Sequence, residues 1–162
     1  ATPVRAVNDA ERLLPVKEKI IGVGGDNVYR NPSMNLEFFE LPYGQTEGTL
    51  YGVLETPDTK IVFAGDLFVI INGRLRVEPH YAFKSKEAVI ADITVALKAL
   101  LGKDTGREDH PKNCREHISK LAVPDKIALG HGFINFEETR EDIEHLLCEL
   151  EELIRIEREH II

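Results

Sequence analysis

Apolar residues recur along the chain with two periods, and the change between them separates strands from helices. Leu36-Glu37-Phe38-Phe39-Glu40-Leu41 is rich in aromatics and reads as a strand. From Thr49 to Glu55 the residues alternate, with Leu50, Gly52 and Leu54 on one face and Tyr51 and Val53 on the other. Ile61 to Ala64 is a short continuous apolar run, the pattern of a fully buried strand. The turn sequence Thr56-Pro57-Asp58-Thr59 joins 49–55 and 60–64 into a β-hairpin. Val69-Ile70-Ile71 and Arg74-Leu75-Arg76-Val77 flank Asn72-Gly73, a second hairpin signal. Pro3 to Val7 is a further strand candidate, and Asp9 caps a one-turn helix over 10–14. Gly22-Val23-Gly24-Gly25-Asp26-Asn27 reads as a plain loop, because it has neither G-x-G-x-x-G nor the Gly-Lys-Ser/Thr ending of a phosphate loop.

The period then lengthens. Behind the N-cap Ser85, residues Val89, Ile90, Ile93, Leu97, Leu100 and Leu101 recur at helical spacing, and Gly102 marks the stop. Residues 103–112 are polar and turn-like, an exposed excursion. Pro111 opens a short helix in which Cys114, Ile118 and Leu121 share a face. Ile127-Ala128-Leu129 is the last buried strand and stops at Gly130-His131-Gly132. Asn135 and Glu138 have capping-box spacing before the last helix, whose stripe is Ile143, Leu146, Leu147, Leu150, Leu153 and Ile154. With no repeat and no linker, this order predicts one α/β domain over residues 1–162, a sheet layer packed on helices.

Composition narrows the function classes. A chain of 162 residues that is 43% hydrophobic can bury a core of its own. No apolar stretch is long enough to cross a bilayer, and the start does not read as a signal peptide. The missing initiator Met means that the N-terminus is processed or that something once preceded Ala1. A net charge of −8 argues against general affinity for nucleic acid, which depends on Lys and Arg. Cys114 and Cys148 lack C-x-x-C spacing, so two free, partly buried thiols in a reducing cytoplasm are expected.

Three loops at strand ends carry the candidate chemistry: Gln45, Asp66 and His131. A carboxylate behind Gly65, at the end of a buried strand, is costly to place without a partner. Carboxylate and imidazole both ligate zinc and iron, and the glycines around His131 permit a tight turn that projects its ring. Each has a plainer reading: Asp66 as a cap, His131 as a turn residue bonded to backbone, and 44–48 as an ordinary loop. His145 and His160 read as solvated surface on the last helix. His110 and His117 have no matching ligand.

Taken in order, Tyr43-Gly44-Gln45-Thr46-Glu47-Gly48-Thr49-Leu50, Val62-Phe63-Ala64-Gly65-Asp66-Leu67-Phe68 and Ala128-Leu129-Gly130-His131-Gly132 resemble the C-terminal half of the metallo-β-lactamase superfamily. The resemblance covers nearly the whole chain. It implies roughly half of an αβ/βα sandwich, with a site for one or two zinc (or iron) ions and a small-molecule substrate. It also implies a hydrolase in which the metal activates water toward an ester, thioester, amide or phosphodiester. Residue by residue, Asp66 matches the catalytic carboxylate that bridges two metals, and His131 the last histidine ligand of the second. Gln45 stands where the family has a histidine ligand of the first metal, a departure, since an amide oxygen is a poor zinc ligand. The family's His-x-His-x-Asp-His is absent. The first half is then lost or separately encoded, the chain is a degenerate relative without metal, or other residues complete the site. His80, just before a helix, is the substitute metal ligand or substrate contact. A half-sandwich leaves an apolar sheet face uncovered, so pairing with a complementary N-terminal half or a second copy is expected. The alternative is a non-catalytic metallo-β-lactamase-like protein kept for binding or subunit assembly. A third reading is an unrelated α/β module.

Overall fold

The computed structural model describes residues 2–3, 22–23, 27–42, 49–67, 69–72, 74–77, 85–106, 112–130 and 132–159. Gln45, His80 and His131 lie outside the described residues, as do the expected one-turn helix over 10–14 and Pro111.

Within these residues the fold is mixed α/β. Ten strands are described: β1 (Thr2–Pro3), β2 (Gly22–Val23), β3 (Asn27–Asn31), β4 (Met34–Leu41), β5 (Thr49–Glu55), β6 (Lys60–Gly65), β7 (Val69–Ile71), β8 (Arg74–Arg76), β9 (Lys126–Leu129) and β10 (Gly132–Asn135). The helices are α1 (Lys86–Leu100), α2 (Lys112–Lys120) and α3 (Phe136–Glu159). The main sheet runs β10-β9-β6-β5-β4-β3, and only β6 and β9 pair in parallel. Parallel neighbours require a crossover, and the chain between them supplies it through α1 and α2.

Register fixes which residues share a face. Phe39 pairs with Tyr51, Val53 with Val62, and Val62 with Ile127; all five are buried in one cluster with α1, α2 and α3. The opposite face carries Leu36, Phe38, Leu50, Leu54, Ile61 and Phe63, all half-buried and outside that cluster. Neither face is solvated in the usual polar-out manner, since both are apolar.

Capping follows the sequence closely. The Ser85 side chain accepts from the Ala88 N–H at 3.2 Å. At the far end Gly102 (φ +66) donates to Ala99 and Lys103 to Lys98, a Schellman closure that only a left-handed residue completes easily. Asn135 Oδ1 accepts from the Glu137 N–H and so caps α3, with the bond going to Glu137 rather than to the Glu138 of the expected capping box. The Asn72 turn, with φ +53, joins β7 and β8 as expected.

Several details differ from the sequence pattern. Gly22–Val23 is a short strand pairing with β1 rather than a plain loop. β3 and β10 were not legible, because each offers few apolar positions and forms a sheet edge. Leu153 is 40% exposed, so the buried stripe of α3 ends at Leu150 and Ile154 is only half-buried. Cys148 is exposed and Cys114 half-buried, and neither is in a disulfide. No helix among the described residues is long and apolar enough to cross a membrane.

Candidate functional site

The site begins where β6 ends. Gly65 takes a left-handed φ of +52, and the Leu67 N–H donates to the Ala64 carbonyl at 3.1 Å, closing a turn. Leu67 is buried and pins the turn to the core, while Asp66 stands exposed between the two. The strand is buried but its terminal carboxylate is not. The desolvation cost expected from the sequence therefore does not arise, because the left-handed glycine turns Asp66 out of the sheet.

The parallel neighbour β9 ends beside it. Leu129 pairs with Gly132 across the β9–β10 hairpin. The Gly130 N–H donates to the Gly65 carbonyl at 3.0 Å, extending the β6–β9 ladder past its irregularity at Phe63/Gly65. A Cβ at Gly130 would collide with Asp66 Oδ1 and lie 3.6 Å from its Cγ. The Asp66 carboxylate thus occupies the space that a side chain at Gly130 would take. The sequence had assigned the glycines to projecting His131; the structure gives Gly130 this second role. Of the four residues singled out, only Asp66 is described, and the structure brings it against the turn whose next residue is His131.

A cavity of about 310 Å³ adjoins this turn on the outer sheet face, with Gly65 and Gly130 in its wall beside Phe38, Leu50, Gly52 and Phe63. A Cβ at Gly52 would sit 2.8 Å from Phe38 Cε1 and 3.2 Å from Phe63 Cδ2, so the glycine lets both rings lie across β5. The larger cavity, about 600 Å³, lies between the end of α1 and α2, near Lys103, Thr105, Arg115 and Ser119. Neither cavity is lined by Asp66 itself, but only the smaller one is lined by Gly65 and Gly130, which adjoin it.

The remaining buried polar groups lie on the helical side or at the other end of the sheet. Glu37 accepts from Lys120 Nζ at 2.6 Å, and His117 stacks on Phe39 with centroids 4.5 Å apart. Burial, reinforced by the Asp92 carboxylate, pushes the Tyr51 hydroxyl well above the usual tyrosine range. Lys60 donates through Nζ to the Ala122 carbonyl, and its backbone N–H donates to Asp125. Burial lowers its ammonium pKa, against the opposing pull of Glu55 and Asp125. Those contacts lock the starts of β6 and β9, a full strand away from Asp66, and are structural.

Among the described residues no group of three His, Cys, Asp or Glu side chains stands ready to hold a metal. The one donor they contribute does fit a zinc or iron ion: an accessible carboxylate oxygen, held by a pinned turn in room left by a missing Cβ. Set against models of known protein families and against curated proteins, the chain matches none.

Proposed function

We propose that this chain is one layer of a metallo-β-lactamase-like αβ/βα sandwich and contributes to a metal-dependent hydrolase site centred on Asp66. The observation that carries this reading is the packing of the Asp66 carboxylate against Gly130, at the C-terminal ends of two parallel strands. Strand ends of this kind hold functional side chains on rigid supports. Asp66 and His131 are the proposed ligands, and Gln45 and His80 are the proposed further contacts to metal or substrate. A zinc or iron ion held there would supply the Lewis acidity needed to activate water toward an ester, thioester, amide or phosphodiester. The chain's own contribution is to fix the carboxylate: the Gly65 turn aims it, Leu67 anchors it, and Gly130 makes room for it.

Hydrolysis of p-nitrophenyl acetate and bis(p-nitrophenyl) phosphate with added zinc or iron tests the reading. Activity that rises with metal and falls at least a hundredfold in Asp66→Asn supports it; activity unchanged by Asp66→Asn contradicts it. Gln45→His is expected to raise metal affinity if the first metal position is latent.

A second reading, a non-catalytic protein kept for assembly, is favoured by the half-buried apolar row of Leu36, Leu54 and Ile61 on the outer face. A second copy or a complementary layer would cover it. A solution mass of a single chain contradicts self-pairing.

A further inference from the structure

The cavity beside Asp66 has a chemistry distinct from the turn it adjoins. Its walls are formed by Phe38, Phe63, Leu50, Ala128 and Leu129 with Gly52, Gly65 and Gly130; no ionisable residue lines it. The two rings are tilted by 45° with centroids 6.4 Å apart, an arrangement whose faces and edges suit a further ring. At about 310 Å³ it stands at the lower end of small-molecule sites and is roughly twice the volume of an apolar cavity that accepts benzene. Gly65 and Gly130, the glycines next to and against Asp66, are in its lining.

We propose that this cavity is the specificity pocket of the Asp66 site and receives an aromatic apolar group of the substrate. The polar, reacting end of that substrate would lie at the Gly65–Asp66 turn, and this half of the inference rests on the hydrolase reading. Gly52 is the residue that permits the pocket. Any side chain there drives into Phe38 and Phe63 and displaces the two rings that form the wall. Leu50, paired with Glu40 across β4 and β5, sets its outer wall. Charged or strongly polar groups are excluded, since burying them against these walls without partners is costly.

The test is amide NMR of the full chain titrated with 4-phenylbutyrate, with butyrate as the control that keeps the carboxylate and lacks the ring. Each titration is run without and then with zinc. The proposal predicts shifts at Gly52, Phe63, Gly65 and Ala128 with 4-phenylbutyrate and not with butyrate. It predicts at least tenfold weaker binding in Leu50→Trp, which fills the pocket, while the rest of the spectrum stays dispersed. Gly52→Ala, which displaces the Phe38 and Phe63 rings, provides a second disruption of the pocket if Leu50→Trp does not fold. Tighter binding with zinc, lost in Asp66→Asn, supports the pocket and the metal reading together. Binding that zinc leaves unchanged supports the pocket and overturns the metal reading. Equal shifts with butyrate, or undiminished binding in both variants, overturn the pocket. So do cavity amides that shift with protein concentration and ignore 4-phenylbutyrate, since a second copy then covers the face.

Discussion

The carboxylate of Asp66 fills the volume that a side chain at Gly130 would need. Two strands remote in sequence therefore end in turns that meet. Their fit is fixed by backbone as well, through the Gly130 N–H on the Gly65 carbonyl at 3.0 Å.

That relationship predicts a separable cost. Gly130→Ala is expected to displace the Asp66 side chain and to destabilise by less than about 1 kcal/mol, because an exposed carboxylate can swing aside. The cost should largely vanish when Asp66→Gly is made in the same chain, a coupling that urea unfolding of the four variants measures. Gly65→Ala, by contrast, meets nothing within 4 Å and should cost about 1 kcal/mol through its left-handed φ alone, with no rescue by Asp66→Gly.

The pair of Glu37 and Lys120 should be expensive to halve. Glu37 is 6% exposed, so Lys120→Met is expected to destabilise by about 2 kcal/mol, discounted from a fully buried pair because the lysine is partly solvated. Replacing both with Leu should restore most of the loss. Denaturant midpoints of the single and double variants check this.

Tyr51 gives the pH dependence a sign. Its folded pKa is raised by burial and by Asp92, so the folded state holds the phenolic proton that the unfolded chain loses near pH 10. Its contribution is complete below about pH 10 and is lost progressively above it. The slope of stability against pH in that alkaline window should be shallower in Tyr51→Phe, measured by urea unfolding at fixed pH steps.

The two thiols should separate in rate. Cys148 is exposed, whereas Cys114 is half-buried and burial raises its pKa, which lowers its thiolate fraction. A disulfide reagent at pH 8 should modify Cys148 first, with Cys114→Ser leaving the fast phase intact.

Much of the architecture was legible because period and punctuation agreed. The 49–55 and 60–64 hairpin, the Asn72 turn, the Ser85 cap and the Gly102 stop all rest on local rules, and tertiary packing did not override them. β10 was hidden because Gly132-Phe133-Ile134-Asn135 is too short and too polar at its ends to alternate visibly; pairing with β9 makes it a strand. The exposure of Asp66 was also beyond the pattern. A buried run ending in Gly-Asp looks like a buried carboxylate until the sign of the glycine's φ is known. The collision at Gly130 and the rings over Gly52 depend on register between strands, which no single-strand pattern carries.

Metal content per chain is the most direct test, by elemental analysis of protein purified without chelators or added metal. The account predicts stoichiometric zinc or iron in the wild type, with at least a tenfold loss in Asp66→Asn. Protein free of transition metal, or carrying the same amount after Asp66→Asn, would contradict the assignment of Asp66 to a metal site.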